Sequence, residues 1–132
     1  MKSVSYLVLI GLILTMLFSS VYAKELELQR FTYIINYSTA LSIDANGTAY
    51  CLANFVTADP YTLKTALMLQ KYQAGSWLSV NSWSDSTTSD VLQMSESCSV
   101  TAGTYRTSFT GQVFDGQTLL EYASSVSASV IR

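Results

Sequence analysis

Trp77, Trp83 and Tyr72 are the side chains of this sequence best suited to holding a flat ligand. The two tryptophans stand six positions apart, so on one extended strand they point to the same side, and Tyr72 closes the strand before. On the surface, the three would form an aromatic platform that stacks on sugar rings. In the interior, one or both tryptophans would fill a core, the commoner fate of large aromatics.

The acids support less chemistry. Asp85 and Asp90 bracket a Ser/Thr loop, and Asp44 and Asp59 sit in turns. Such groups can ligate calcium or work as a carboxylate pair on a glycoside. Aspartate also starts turns by bonding its own backbone, and no Asp-x-Asp-x-Asp-Gly spacing occurs, so no metal or cofactor is assigned. Glu96 interrupts an inward alternation two residues before Cys98. It either takes Arg106 or Lys71 as a buried partner or turns outward on a bulge; the bulge is the simpler account.

The chain has no histidine, which removes Ser-His-Asp, Cys-His and His-ligated zinc mechanisms. Two cysteines cannot complete a four-cysteine metal site. Serines are abundant, but none has a base beside it in a motif, and a Ser-Lys dyad with Lys64 or Lys71 has no spacing to support it. No catalytic residue is assigned, and an enzyme is not expected.

Residues 1–23 have the layout of a cleavable secretory signal. Lys2 gives the positive start, Tyr6 to Phe18 the apolar run, and Val21 and Ala23 the small or apolar positions before a cut at Ala23-Lys24. The run is shorter than the roughly 20 residues of a membrane span, so membrane contact is expected only before cleavage. Of seven Lys and Arg, Lys2 leaves with the signal, so six face nine Asp and Glu in the mature chain. That balance is too acidic to displace counterions from nucleic-acid phosphates. Residues 24–132 suffice for one domain.

In an exported domain, Cys51 and Cys98 read as one disulfide. Asn36-Tyr37-Ser38 and Asn46-Gly47-Thr48 fit the glycosylation pattern, though Asn46 is already explained by its turn.

The elements that must position these groups have a period of two nearly throughout. Strands are predicted over 31–43, 48–57, 62–73, 76–84, 91–100, 104–114 and 117–131. Turn signals at Asn46-Gly47, Asp59-Pro60, Ala74-Gly75, Ala102-Gly103 and Asp115-Gly116 separate them. Residues 62–73 have helical propensity in their Leu, Lys, Met and Gln content, but their neighbours argue for strand. Seven antiparallel strands imply an all-β, immunoglobulin-like or fibronectin-like sandwich. In a Greek key of this kind the second and fifth strands are sheet neighbours, so the disulfide would join adjacent strands.

The stretch Ser99-Val100-Thr101-Ala102-Gly103-Thr104-Tyr105-Arg106 resembles the turn into the sixth strand of fibronectin type III-like domains. There a tyrosine hydroxyl ties back to the turn backbone. Tyr105 follows Thr104 directly, one residue early, and the turn proline and second-strand Trp of that family are missing. More widely, Cys51, Leu69-Gln70-Lys71, Gly75-x-Trp77, Trp83 and Gly103-Thr104-Tyr105-Arg106 are similar to an uncharacterised family of small secreted proteins of Gram-positive bacteria. That resemblance implies export and a β-rich domain and carries no activity.

The expected function is therefore a secreted, extracellular, non-catalytic module that binds a cell-surface, glycan or protein partner through Trp77, Trp83 and Tyr72. The alternative is a small secreted effector, a protease inhibitor or bacteriocin-like protein, presenting loops such as Asp85–Asp90 or Asp59–Tyr61. The net acidity argues against attack on anionic membranes.

Overall fold

A computed structural model describes residues 31–132. The signal reading of residues 1–23 and the cut at Ala23 lie outside the described residues. Eight strands follow one another: β1 (Ile34–Ile43), β2 (Thr48–Thr57), β3 (Thr62–Gln73), β4 (Ser76–Thr87), β5 (Val91–Ser99), β6 (Thr104–Asp115), β7 (Thr118–Val126) and β8 (Val130–Ile131). No helix of the described residues is long and apolar enough to cross a membrane.

The strands form two antiparallel sheets. One has the order β1-β2-β5; the other runs β4-β3-β6-β7, with β8 pairing β6 beyond β7. The alternation seen in the sequence sets the inward faces. Ala49, Cys51, Ala53 and Phe55 of β2 and Leu92 and Met94 of β5 meet Leu63, Leu67, Leu69, Tyr105, Phe109 and Val113 of the larger sheet in one core. Each large side chain so buried contributes roughly 1.5–3 kcal/mol. Phe55 and Phe109 meet edge to face across the sheets at 5.7 Å. Gly111 makes this contact possible, because a Cβ there would lie 2.8 Å from the Phe55 ring.

Two buried hydroxyls on the inward faces are paired. Thr107 Oγ1 lies 2.8 Å from Thr39 Oγ1, and Thr65 Oγ1 donates to Met94 Sδ at 3.1 Å. Residues 62–73 are strand, as their neighbours implied: Leu63, Thr65, Leu67 and Leu69 are all buried. Ala74 and Gly75 both have positive φ, the geometry of a two-residue hairpin turn matched to strand twist.

Three expectations need correction. The stretch 117–131 is two strands. Ser127 Oγ accepts the Thr107 N–H and donates to the Ala128 carbonyl, so the side chain replaces a ladder partner and interrupts the pairing. β4 runs on to Thr87, taking in half of the supposed Asp85–Asp90 loop. No bulge turns Glu96 outward: the β2–β5 register is unbroken, with Cys51 opposite Glu96, and Glu96 stays half-buried on the inward face.

Candidate functional site

Residues paired across strands share a face. Gln70 pairs with Ser79 on one side and Arg106 on the other, and Tyr72 pairs with Trp77. All alternate with the buried Leu67 and Leu69, so they stand on the outer face of the larger sheet. The Tyr72 and Trp77 rings lie 5.2 Å apart, tilted by 60°. The Arg106 guanidinium sits 4.3 Å from the centre of the Trp77 ring. Its Nε donates to Gln70 Oε1 at 2.8 Å. Tyr72 keeps 50 % of its surface open. Arg106 and Trp77 are both half-buried; such a contact is worth roughly 0.5–1 kcal/mol or more and, with the Gln70 bond, favours this placement of the cation.

Trp83 does not belong to this cluster. Leu69 pairs with Asn81 while Gln70 pairs with Ser79, which leaves Val80 as an extra residue in β4. The bulge reverses the alternation. Trp83 falls opposite the buried Leu67 and packs against the core, whereas Trp77 faces outward. The expected three-ring platform is thus a two-ring platform with an arginine.

No protein-family model and no curated protein matches the chain. Its geometry therefore carries the functional argument.

The cysteines lie on adjacent strands, β2 and β5, yet both are free thiols, which corrects the expected disulfide. Cys51 is opposite Glu96, and Cys98 is opposite Ala49, so the two are diagonal neighbours. Such Cα atoms are roughly 7–8 Å apart, whereas a disulfide usually spans about 4.4–6.8 Å. Burial, reinforced by Cys98 and Glu96, pushes the Cys51 thiol up to about 12. Half-buried Cys98 opens onto a hollow of about 340 Å³ that Lys71, Asn81 and Thr101 also line.

The turn acids have local work. Asp44 Oδ1 accepts the N–H groups of Asn46 and Thr48, and its Oδ2 accepts the Tyr50 hydroxyl. The backbone bond from Thr48 leads the effects that hold its carboxyl below the ordinary range. Asp85 accepts the Ser86 N–H, and Asp90 accepts the Ser89 hydroxyl. Among the described residues, no three acids or cysteines gather as metal ligands.

Sequence reasoning missed Glu121. Its carboxylate accepts the successive N–H groups of Thr32, Tyr33 and Ile34, tying the start of β1 to β7. It also missed Arg106 as a partner of Trp77. The inward Tyr105 put Arg106 on the outer face, but only the β3–β6 register brings it beside Gln70.

Proposed function

We propose that this chain is a secreted, non-catalytic extracellular module, exported by a signal peptide over residues 1–23, that binds a cell-surface glycan. The outer face of the larger sheet is its binding surface, with Trp77, Tyr72 and Arg106 at the centre. The observation that carries this reading is the outward-facing pair of exposed Tyr72 and half-buried Trp77, with Arg106 stacked on the indole. A half-open aromatic pair presents apolar ring faces to sugar C–H groups, and the neighbouring guanidinium supplies fixed donors to sugar oxygens.

The fold fits an immunoglobulin-like or fibronectin-like sandwich. The sheets group β1-β2-β5 against β4-β3-β6-β7. Tyr105 Oη donates to the Thr101 carbonyl at 2.9 Å, tying the tyrosine to the turn before it, as the resemblance to fibronectin type III-like domains implies. Membership of a family of small secreted proteins of Gram-positive bacteria belongs to the same proposal.

A second reading draws on edge strand β4, where Leu78 and Val80 are exposed. Such an edge can pair with a strand of a protein target, as a small secreted effector would.

Pull-down of the purified protein on cell walls and insoluble polysaccharides tests the choice. Retention that Trp77→Ala removes supports glycan binding. No retention on any of these materials overturns it and brings the effector reading forward.

A further inference from the structure

Resting on the glycan-binding reading, we infer that the ligand is an acidic linear polysaccharide, held along the strands between two cation–aromatic clusters on the outer face of the larger sheet. The first cluster is Arg106 on Trp77. The second lies further along the same two central strands: Lys64 Nζ stands 4.9 Å from the centre of the Phe114 ring. Lys64 pairs with Gln112, and Gln70 pairs with Arg106. Six residues of β3 therefore separate the clusters, roughly 20 Å at the rise of a strand.

The surface between them is neutral and rich in hydroxyls. Ser108, Thr110 and Gln112 of β6 and Ser82 and Ser84 of β4 alternate with buried or inward-facing residues and share this outer face. Tyr122 of β7, paired with Gln112 and 62 % exposed, adds a further open ring beside the band.

The acids are elsewhere. Asp44, Asp59, Asp90 and Asp115 lie in turns or at strand ends, and Glu96 and Glu121 are half-buried. Asp85, on the edge strand, pairs with the buried Thr65 and takes the inward register; it is exposed at the sheet edge, where it lines a shallow hollow with Lys64 and Ser84. Among the described residues acids outnumber cations, yet the outward register of β3, β4, β6 and β7 carries Lys64 and Arg106 and no acid, Asp85 standing at the β4 edge beside Lys64. Gln70 occupies only the Nε of Arg106; the two terminal nitrogens carry four more donors in the planar fork that suits a carboxylate. A row of hydroxyls and amides between two fixed cations complements a linear chain of hydroxyl-bearing sugars with negative groups along it.

Affinity electrophoresis of the purified protein tests this, with polygalacturonate in one gel and the same polymer with its carboxyl groups reduced to alcohols in another. The expected result is strong retardation by polygalacturonate, weakening as salt is added, and at least roughly tenfold weaker binding to the reduced polymer. Lys64→Gln and Arg106→Gln each weaken binding to polygalacturonate by roughly tenfold with unchanged circular dichroism, and Lys71→Gln leaves it unchanged. Equal, salt-insensitive retardation by the two polymers overturns the acidic-ligand inference and leaves the glycan-binding reading in place. Retardation by neither polymer overturns the inference; if cell walls and insoluble polysaccharides also fail to retain the protein, the glycan-binding reading falls with it.

Discussion

Trp77 and Trp83, six residues apart on β4, face opposite sides of the same sheet, because Val80 is inserted between them without a partner on β3. The bulge separates a surface tryptophan from a core one, and the two substitutions should have different consequences. Trp83→Ala removes a half-buried side chain packed on the core and should cost roughly 2–4 kcal/mol, somewhat below the value for a fully buried Trp. Trp77→Ala loses only the contacts with Tyr72 and Arg106 and should cost roughly 1 kcal/mol, while abolishing ligand retention. Urea unfolding of both variants reads the difference. Equal loss of stability in the two would contradict the opposed orientations.

The thiols differ as sharply. A reagent that alkylates free cysteines should label Cys98 in the folded protein and reach Cys51 only on unfolding, as mass spectrometry of peptides would show. The Cys51 thiol also makes stability depend on alkaline pH. Its folded value, about 12, lies above its ordinary value of 9.0. The unfolded chain therefore loses this proton first, and stability present below pH 9 declines as pH rises toward 12. Cys51→Ala should be less stable at neutral pH but show a shallower decline across that window in denaturant titrations.

Glu121 should act as a latch. Glu121→Ala leaves the N–H groups of Thr32, Tyr33 and Ile34 without their acceptor. The first turn of chain before β1 should then be cut faster by a broad-specificity protease, with the remaining sandwich resistant. An unchanged cleavage pattern would show that the carboxylate does not hold this segment.

Gly111→Ala should destabilise by roughly 1–3 kcal/mol, the usual cost of overpacking a core. The added methyl would meet Phe55, itself locked against Phe109. Gly111→Ala combined with Phe55→Leu should recover part of the loss in thermal unfolding, since the smaller side chain vacates the space the methyl needs.

Much of the fold was legible in the sequence because the signal is periodic. Leu63, Leu67 and Leu69 share one face of 62–73, and the strand patterns of the neighbouring segments argued for β3 as a strand against its helical propensity. Ala74-Gly75 marked the hairpin, and Ser99–Arg106 foretold the bond from Tyr105 to its own turn. The candidate site was only half legible. Tyr72 and Trp77 could be placed together by a two-residue hairpin. The Val80 bulge could not be read, since a bulge changes the pairing count and leaves the types of residue unaltered. The same limit hid Arg106 and Lys64: their place on one face depends on register between strands far apart in sequence. For Glu96 the error ran the other way. A polar residue at an inward position suggested a bulge, whereas the strand kept its register and left the carboxylate half-buried.

The most direct test of the binding face is amide chemical-shift mapping of the purified protein as polygalacturonate fragments are added. The expected shifts centre on Tyr72, Trp77, Gln70 and Arg106 and extend along β3 and β6 toward Lys64 and Phe114, with β1, β2 and β5 unmoved. Shifts confined to the β1-β2-β5 sheet or to the β4 edge, or none at saturating ligand, would contradict this placement of the binding face.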